Sequence, residues 1–183
     1  MSDKYPVFIA IDSQNLYHSC RFEFGNEAKV DYRKLQELLI ANLKRFSSNL
    51  HVEAVVYTVA SDKRQSNQPF LSMLQAIGFL TQTQFVAYSP RGARSVTRTE
   101  WNVGITIDAM KHVLGTEEPI KRFILVSGSG AFEPLIRELN IEGVPTDVYG
   151  FKQSISNSLP GCADQIFVLS KSILLDNQDG HTY

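Results

Sequence analysis

The segment YPVFIAID, Tyr5 to Asp12, is a nearly unbroken apolar run stopped by an acid. It is too short for a membrane span and lacks the polar alternation of a strand wetted on one side. It therefore predicts a central strand buried on both faces, and such a strand needs cover above and below. RFILVSG, Arg122 to Gly128, repeats the pattern. Between such runs lie segments of helical periodicity. VDYRKLQELLIANLKRF sets Leu35, Leu38, Leu39, Ala41, Leu43 and Phe46 at mostly helical spacing behind Asp31, a candidate N-cap. SNQPFLSMLQAIGF predicts a short helix with Pro69 in its first turn and Gly78 at its C-terminal cap. EWNVGITIDAMKHVLG and FEPLIRELNIEG predict two more helices.

HVEAVVYTVA and VPTDVYGF predict further strands, and LTQTQFVAYS alternates polar and apolar residues, as a strand nearer an edge does. ADQIFVLS is a last strand or a buried turn, and the stretch after Asp12 reads as a polar segment. Strands alternating with helices predict an α/β fold whose central, mainly parallel sheet is flanked by helices on both faces. A single domain over residues 1–175 with a polar tail at 176–183 is expected.

A net charge of −1 gives no overall attraction to polyanions, so any nucleic-acid binding must come from a local basic cluster. Two cysteines, Cys20 and Cys162, make no disulfide framework and lack metal-ligand spacing, which points to a reducing compartment. No signal peptide or membrane span is recognisable, and a cytoplasmic location is expected.

In open parallel sheets ligands bind beyond the C-terminal strand ends. This rule brings Asp12 and the turn SGSGAF, Ser127 to Phe132, to one edge of the molecule. Two roles are open to Asp12: a functional carboxylate, or a cap on the segment DSQN that follows. Asn15 can hold a phosphate oxygen, orient Asp12 or be structural. Asp108 interrupts the apolar run around Ile105, Ile107 and Met110, and so faces a polar cleft or disturbs packing. Asn102 stands six residues earlier, about 120° away around the axis, so the two would line different parts of a site. Glu100 at the helix start is also favoured there by the helix dipole.

Arg91, Arg94 and Arg98 form the one local basic cluster, with Lys63 and Arg64 at the end of another strand. They suit phosphate contacts, or simply a solvated loop. The four histidines show no zinc spacing. The SGSG turn is no P-loop, because no lysine follows at the required offset, and it does not match a nucleophile elbow. It remains a phosphate cradle, a site without its charges, or a tight turn.

Four stretches, VFIAIDSQNLY, EWNVGITIDAMKH, FILVSGSGAFEPLIRELN and GVPTDVYGF…SNSLPGCADQIFVL, occur in the order seen in NYN-domain proteins of the LabA-like group. These are relatives of PIN-domain ribonucleases. The resemblance runs from about Tyr5 to Leu169. It implies a Rossmann-like PIN fold whose clustered acids hold Mg²⁺ or Mn²⁺ and cut RNA. Asp12 and Asn15 match the first motif, with Ser13 replacing the usual glycine, and Asp108 matches the second. Asn102, Ser129 and Ala131 stand where the resemblance implies acids.

The turn thus resembles a nuclease site without its charges. Asp12 and Asp108 are left as weak metal ligands, and Asp12, Asp108, Asn102 and Ser129 as the remnants of a catalytic set. Fewer carboxylates weaken divalent-cation binding but make the cleft less repulsive to phosphate, which Asn15, Ser127, Gly128, Gly130 and the helix start near Phe132 would meet. The resemblance implies an RNA-directed regulator of gene expression, weak or silent in catalysis. Alternatives are an active single-metal ribonuclease using Asp12 and Asp108, aided by Glu100, and a protein-interaction scaffold without RNA binding. A homodimer and a protein partner in regulation are further expectations.

Overall fold

The computed structural model describes residues 4–60, 68–85, 100–115 and 117–176. Among these residues six strands form one sheet in the order β3-β2-β1-β4-β5-β6: β1 Tyr5–Asp12, β2 Leu50–Ala60, β3 Leu80–Phe85, β4 Arg122–Val126, β5 Thr146–Phe151 and β6 Gln165–Leu169. Every pairing is parallel, as expected where helices separate consecutive strands. The ADQIFVLS segment resolves as a strand, β6, at one edge, and LTQTQF forms β3 at the other.

Among the described residues five α-helices cover the sheet: α1 Ser13–Phe24, α2 Tyr32–Leu43, α3 Gln68–Ile77, α4 Asn102–Leu114 and α5 Glu133–Ile141. β1 shows why both faces need cover. Val7, Ile9 and Ile11 pack in one cluster with Leu16, Leu35, Leu39, Leu43 and Leu74 from α1, α2 and α3. Phe8 and Ala10 pack in a second with Ile105, Ala109, Leu135 and Leu139 from α4 and α5. The period of two along the strand thus divides the core into two layers.

Asp31 caps α2 as its sequence predicts, its side chain accepting from the Arg33 and Lys34 amides. Gly78 closes α3 with φ of +105°, a conformation that favours glycine. α1 departs from expectation: the segment after Asp12 is a twelve-residue helix rather than a polar connection. Leu16, Cys20 and Phe24, each one turn apart, carry its apolar contact. Exposed Tyr17 and Phe22 break the periodicity that would have revealed it. Cys20 and Cys162 are both free thiols. No helix among the described residues is long and apolar enough to cross a membrane.

Candidate functional site

The strand order reverses between β1 and β4, so the crevice of this sheet lies at their C-terminal ends. The register pairs Ile11 with Val126, which leaves Asp12 and Ser127 side by side as the chain leaves the sheet. Asp12 begins α1 as its N-cap and accepts from the Asn15 amide at 3.1 Å. Its second carboxylate oxygen accepts from the buried Ser127 hydroxyl at 3.2 Å. Asn15 reaches back across the crevice, its Oδ1 accepting from the Gly128 amide at 2.9 Å. Asp12, Asn15, Ser127 and Gly128 are therefore one hydrogen-bonded unit joining the ends of β1 and β4. Asp12 is a helix cap, and it also stands at the crevice.

The turn continues that unit. Ser129 donates its amide to Ser127 Oγ at 3.3 Å, and its own hydroxyl accepts from the Ala131 amide at 3.3 Å, opening a single 3-10 turn over Gly130–Phe132. The amides of Gly128, Ser129 and Ala131 are thus taken by Asn15, Ser127 and Ser129. An anion entering the turn would have to displace them, which weakens its phosphate-cradle reading.

The glycines have a packing reason. A Cβ on Gly128 would stand 2.3 Å from the Ser154 carbonyl oxygen, and one on Gly130 would stand 2.6 Å from Ser156 Oγ. The Ser156 amide donates to the Gly128 carbonyl at 2.9 Å across the same contact. Gly128→Ala must push backbone against backbone, and a loss of about 1–3 kcal/mol is expected in denaturant unfolding. An unchanged midpoint would contradict this account of the turn.

Burial drives the Asp12 carboxyl above its ordinary value, against the Asn15, Ser127 and Gln14 hydrogen bonds and with further upward pressure from Glu100. The folded state therefore holds this proton more tightly than the unfolded chain does. The associated stability is complete below about 3.8 and is lost as pH rises through the folded value. Asp12→Asn keeps a capping side chain and removes the buried charge. Its Tm should exceed that of the parent at pH 7, by about 2–4 °C per kcal/mol of desolvation relieved, with the gain vanishing towards pH 3. A variant less stable at pH 7 would contradict the sign.

Asp108 belongs to a different network. Tyr57, aligned with Asp12 in the sheet register, sends its hydroxyl to Asp108 Oδ2 at 2.9 Å, and Lys111 lies 3.4 Å from Oδ1. Burial first, then Asp108, pushes the Tyr57 phenol strongly up, so it remains a donor. Glu100, not Asp108, is the acid whose charge acts on Asp12. Asn102 leans to Glu100, its amide donating at 3.2 Å. Trp101, just before α4, is fixed by a 2.8 Å bond from its indole to the Thr58 carbonyl. Arg91, Arg94, Arg98, Lys63 and Arg64 lie outside the described residues.

The donor set decides whether a divalent cation fits. Asp12 accepts one hydrogen bond on each oxygen, from Asn15 and Ser127, and Asp108 accepts from Tyr57 and Lys111, so the two carboxylates belong to separate networks. Ala131 offers a methyl group, and among the described residues no three His, Cys, Asp or Glu side chains gather closely enough to hold a metal. Hard cations want several oxygens, charged ones foremost. The described residues thus offer fewer clustered carboxylates than such a cation favours.

A cavity of about 580 Å³ adjoins the crevice on the α1–α3 side of the sheet. Ser13 and Gln14, the residues after Asp12, form part of its wall together with Tyr17, Tyr32, Thr58 and Phe70. Burial, and then the Asp12 charge, raises the Tyr32 phenol well above its ordinary value, which locates it near the crevice. Sequence reasoning missed this cavity because it missed α1. The signal was present: Asp12 as a cap with Leu16, Cys20 and Phe24 each one turn apart.

No curated protein matches the chain. Its fold is similar to the crystal structure of a protein of unknown function from Vibrio parahaemolyticus. The two are 29% identical, with 96% of this chain and 99% of that one covered and a TM-score of 0.74. The NYN domain model, which describes a PIN-like nuclease family generally dependent on divalent metals, matches residues 6–170. The sheet order, the crevice at Asp12 and this match over nearly the whole chain agree, and the protein belongs to the NYN domain family.

Proposed function

We propose that this chain is an RNA-binding NYN protein, silent or weak as a nuclease, that acts in regulation of gene expression as LabA-like proteins do. One observation carries the reading: Asp12 stands at the crevice, but among the described residues no three acids gather to share a metal with it. With Asn102, Ser129 and Ala131 in place of acids, the cleft repels phosphate less than a fully acidic one. RNA needs no metal bridge to bind such an edge, since arginines supply charge-assisted contacts to its backbone. Arg91, Arg94 and Arg98, on the segment between β3 and α4, are the cations proposed for that role.

A fluorescent single-stranded RNA titrated in EDTA at several salt concentrations tests this. Binding is expected without metal and should weaken as salt rises. The Arg94→Ala/Arg98→Ala variant should reduce the log–log salt slope by about 1.4, or roughly 0.7 for each phosphate no longer neutralised. Absence of binding would favour a protein-interaction scaffold. An unchanged slope would remove the arginines from the interface.

A further inference from the structure

The cavity beside the crevice has features that a gap left by loose packing would lack. Its volume of about 580 Å³ falls within the roughly 300–1,000 Å³ of small-molecule sites. α1 lines it with Tyr17 and His18, and α3 lines it with Phe70 and Met73. Tyr17 is half exposed, with Arg21 over its ring and bonded to its hydroxyl, so one aromatic face stands ready at the surface. The walls are thus flat and polarisable where a planar ring would enter.

Polar groups are few, and they lack partners. Tyr32 is 8% exposed and Ser13 is 7% exposed, yet neither hydroxyl has a hydrogen-bond partner among the described residues. Among the described residues the one fully buried side-chain polar atom without a partner is Thr146 Oγ1, so the Tyr32 and Ser13 hydroxyls are open to the cavity and stand free to meet a polar occupant. The Gln14 side chain, a donor and acceptor pair, likewise has no partner among the described residues. Lys29 stands in the same lining and forms no ion pair among the described residues.

An aromatic slot with hydroxyl and amide groups inside and an ammonium in its lining has the chemistry of a nucleobase and its phosphate. We propose that this cavity receives one unpaired nucleobase, stacked between the α1 and α3 side chains, with Tyr32, Ser13 and Gln14 reading its polar edge. The assignment rests on the RNA-binding reading for its source of bases, because Ser13 and Gln14 directly follow Asp12 and make cavity and crevice continuous. A strand lying along the crevice can turn one base inward there.

Two variants test the site without touching the crevice residues. Met73→Trp fills the slot from the half-exposed outer face of α3. Tyr32→Phe removes only the unpartnered hydroxyl and keeps the ring contacts with Phe70 and Phe79, so its Tm should match the parent. The probes are the four nucleoside 5′-monophosphates, followed by NMR, and a short single-stranded RNA. Met73→Trp should weaken both by about tenfold or more. Tyr32→Phe should weaken monophosphate binding by about fivefold and alter the preference among bases.

RNA binding unchanged in both variants would overturn the pocket and leave the RNA reading standing. Monophosphate binding that both variants weaken, without RNA binding by the parent, would keep the pocket as a free-nucleotide site and overturn the RNA reading. No binding of either probe would overturn both. Binding that emerges only after removal of residues 177–183 would assign the cavity to the chain's own end and overturn the proposal.

Discussion

Asp147→Ala should lower stability by about 3–5 kcal/mol, the usual consequence of stripping a buried charge of its partner. Asp147 is 1% exposed on β5, and the Arg122 guanidinium donates to it at 2.7 Å from the first residue of β4. Arg122 also lies 3.8 Å over the Phe46 ring, held between strand and helix layer. Burial pushes the Asp147 carboxyl up while Arg122 pulls it down, so each charge depends on the other. Without Asp147 the guanidinium remains trapped among aromatic rings. At about 2–4 °C per kcal/mol, the fall in Tm should be roughly 6–20 °C. Replacing both residues by apolar ones, Arg122→Met with Asp147→Leu, should recover much of the loss. A single variant that melts with the parent would contradict this. The pair sits at the starts of β4 and β5, so RNA affinity measured below the melting range should be unchanged.

The second large effect concerns the crevice. Asn102→Asp, Ser129→Asp and Ala131→Asp introduced together should raise Mn²⁺ affinity on the order of 100-fold, because ligand charge sets divalent affinity over many orders of magnitude. Position 131 is exposed and position 129 half-buried, so the new carboxylates enter solvent at the crevice rather than the core. The Ser129→Asp side chain can still cap the Ala131→Asp amide, as Ser129 does for Ala131 in the parent. Calorimetric titration of parent and triple variant checks the gain. Equal affinities would show that the missing charges do not limit metal binding.

Much of the fold was legible because buried parallel strands are written as continuous apolar runs. YPVFIAID and RFILVSG announce β1 and β4, and the rule for open sheets then brings Asp12 beside Ser127. α1 was not legible, since its apolar stripe is one residue wide, Leu16, Cys20 and Phe24, and the exposed aromatics Tyr17 and Phe22 blur it. The candidate site was legible as a place and less so as chemistry. Asp108 reads as an acid in an apolar helix, which suggests a cleft, but its partner is the Tyr57 hydroxyl arriving from a distant strand. The turn glycines left a phosphate cradle, an emptied site and a tight turn all open, whereas their contact is with the backbone and side chains of Ser154 and Ser156, over twenty residues away. Long-range packing of that kind leaves no local signature.

RNA held in this crevice is expected to need no metal and to stay uncut. Single-stranded RNA incubated with the purified parent in Mn²⁺ or Mg²⁺, and resolved on a denaturing gel, tests it most directly. Intact RNA, bound equally well in EDTA, is the predicted result. Cleavage by the parent that chelation and Asp12→Ala each abolish would contradict it.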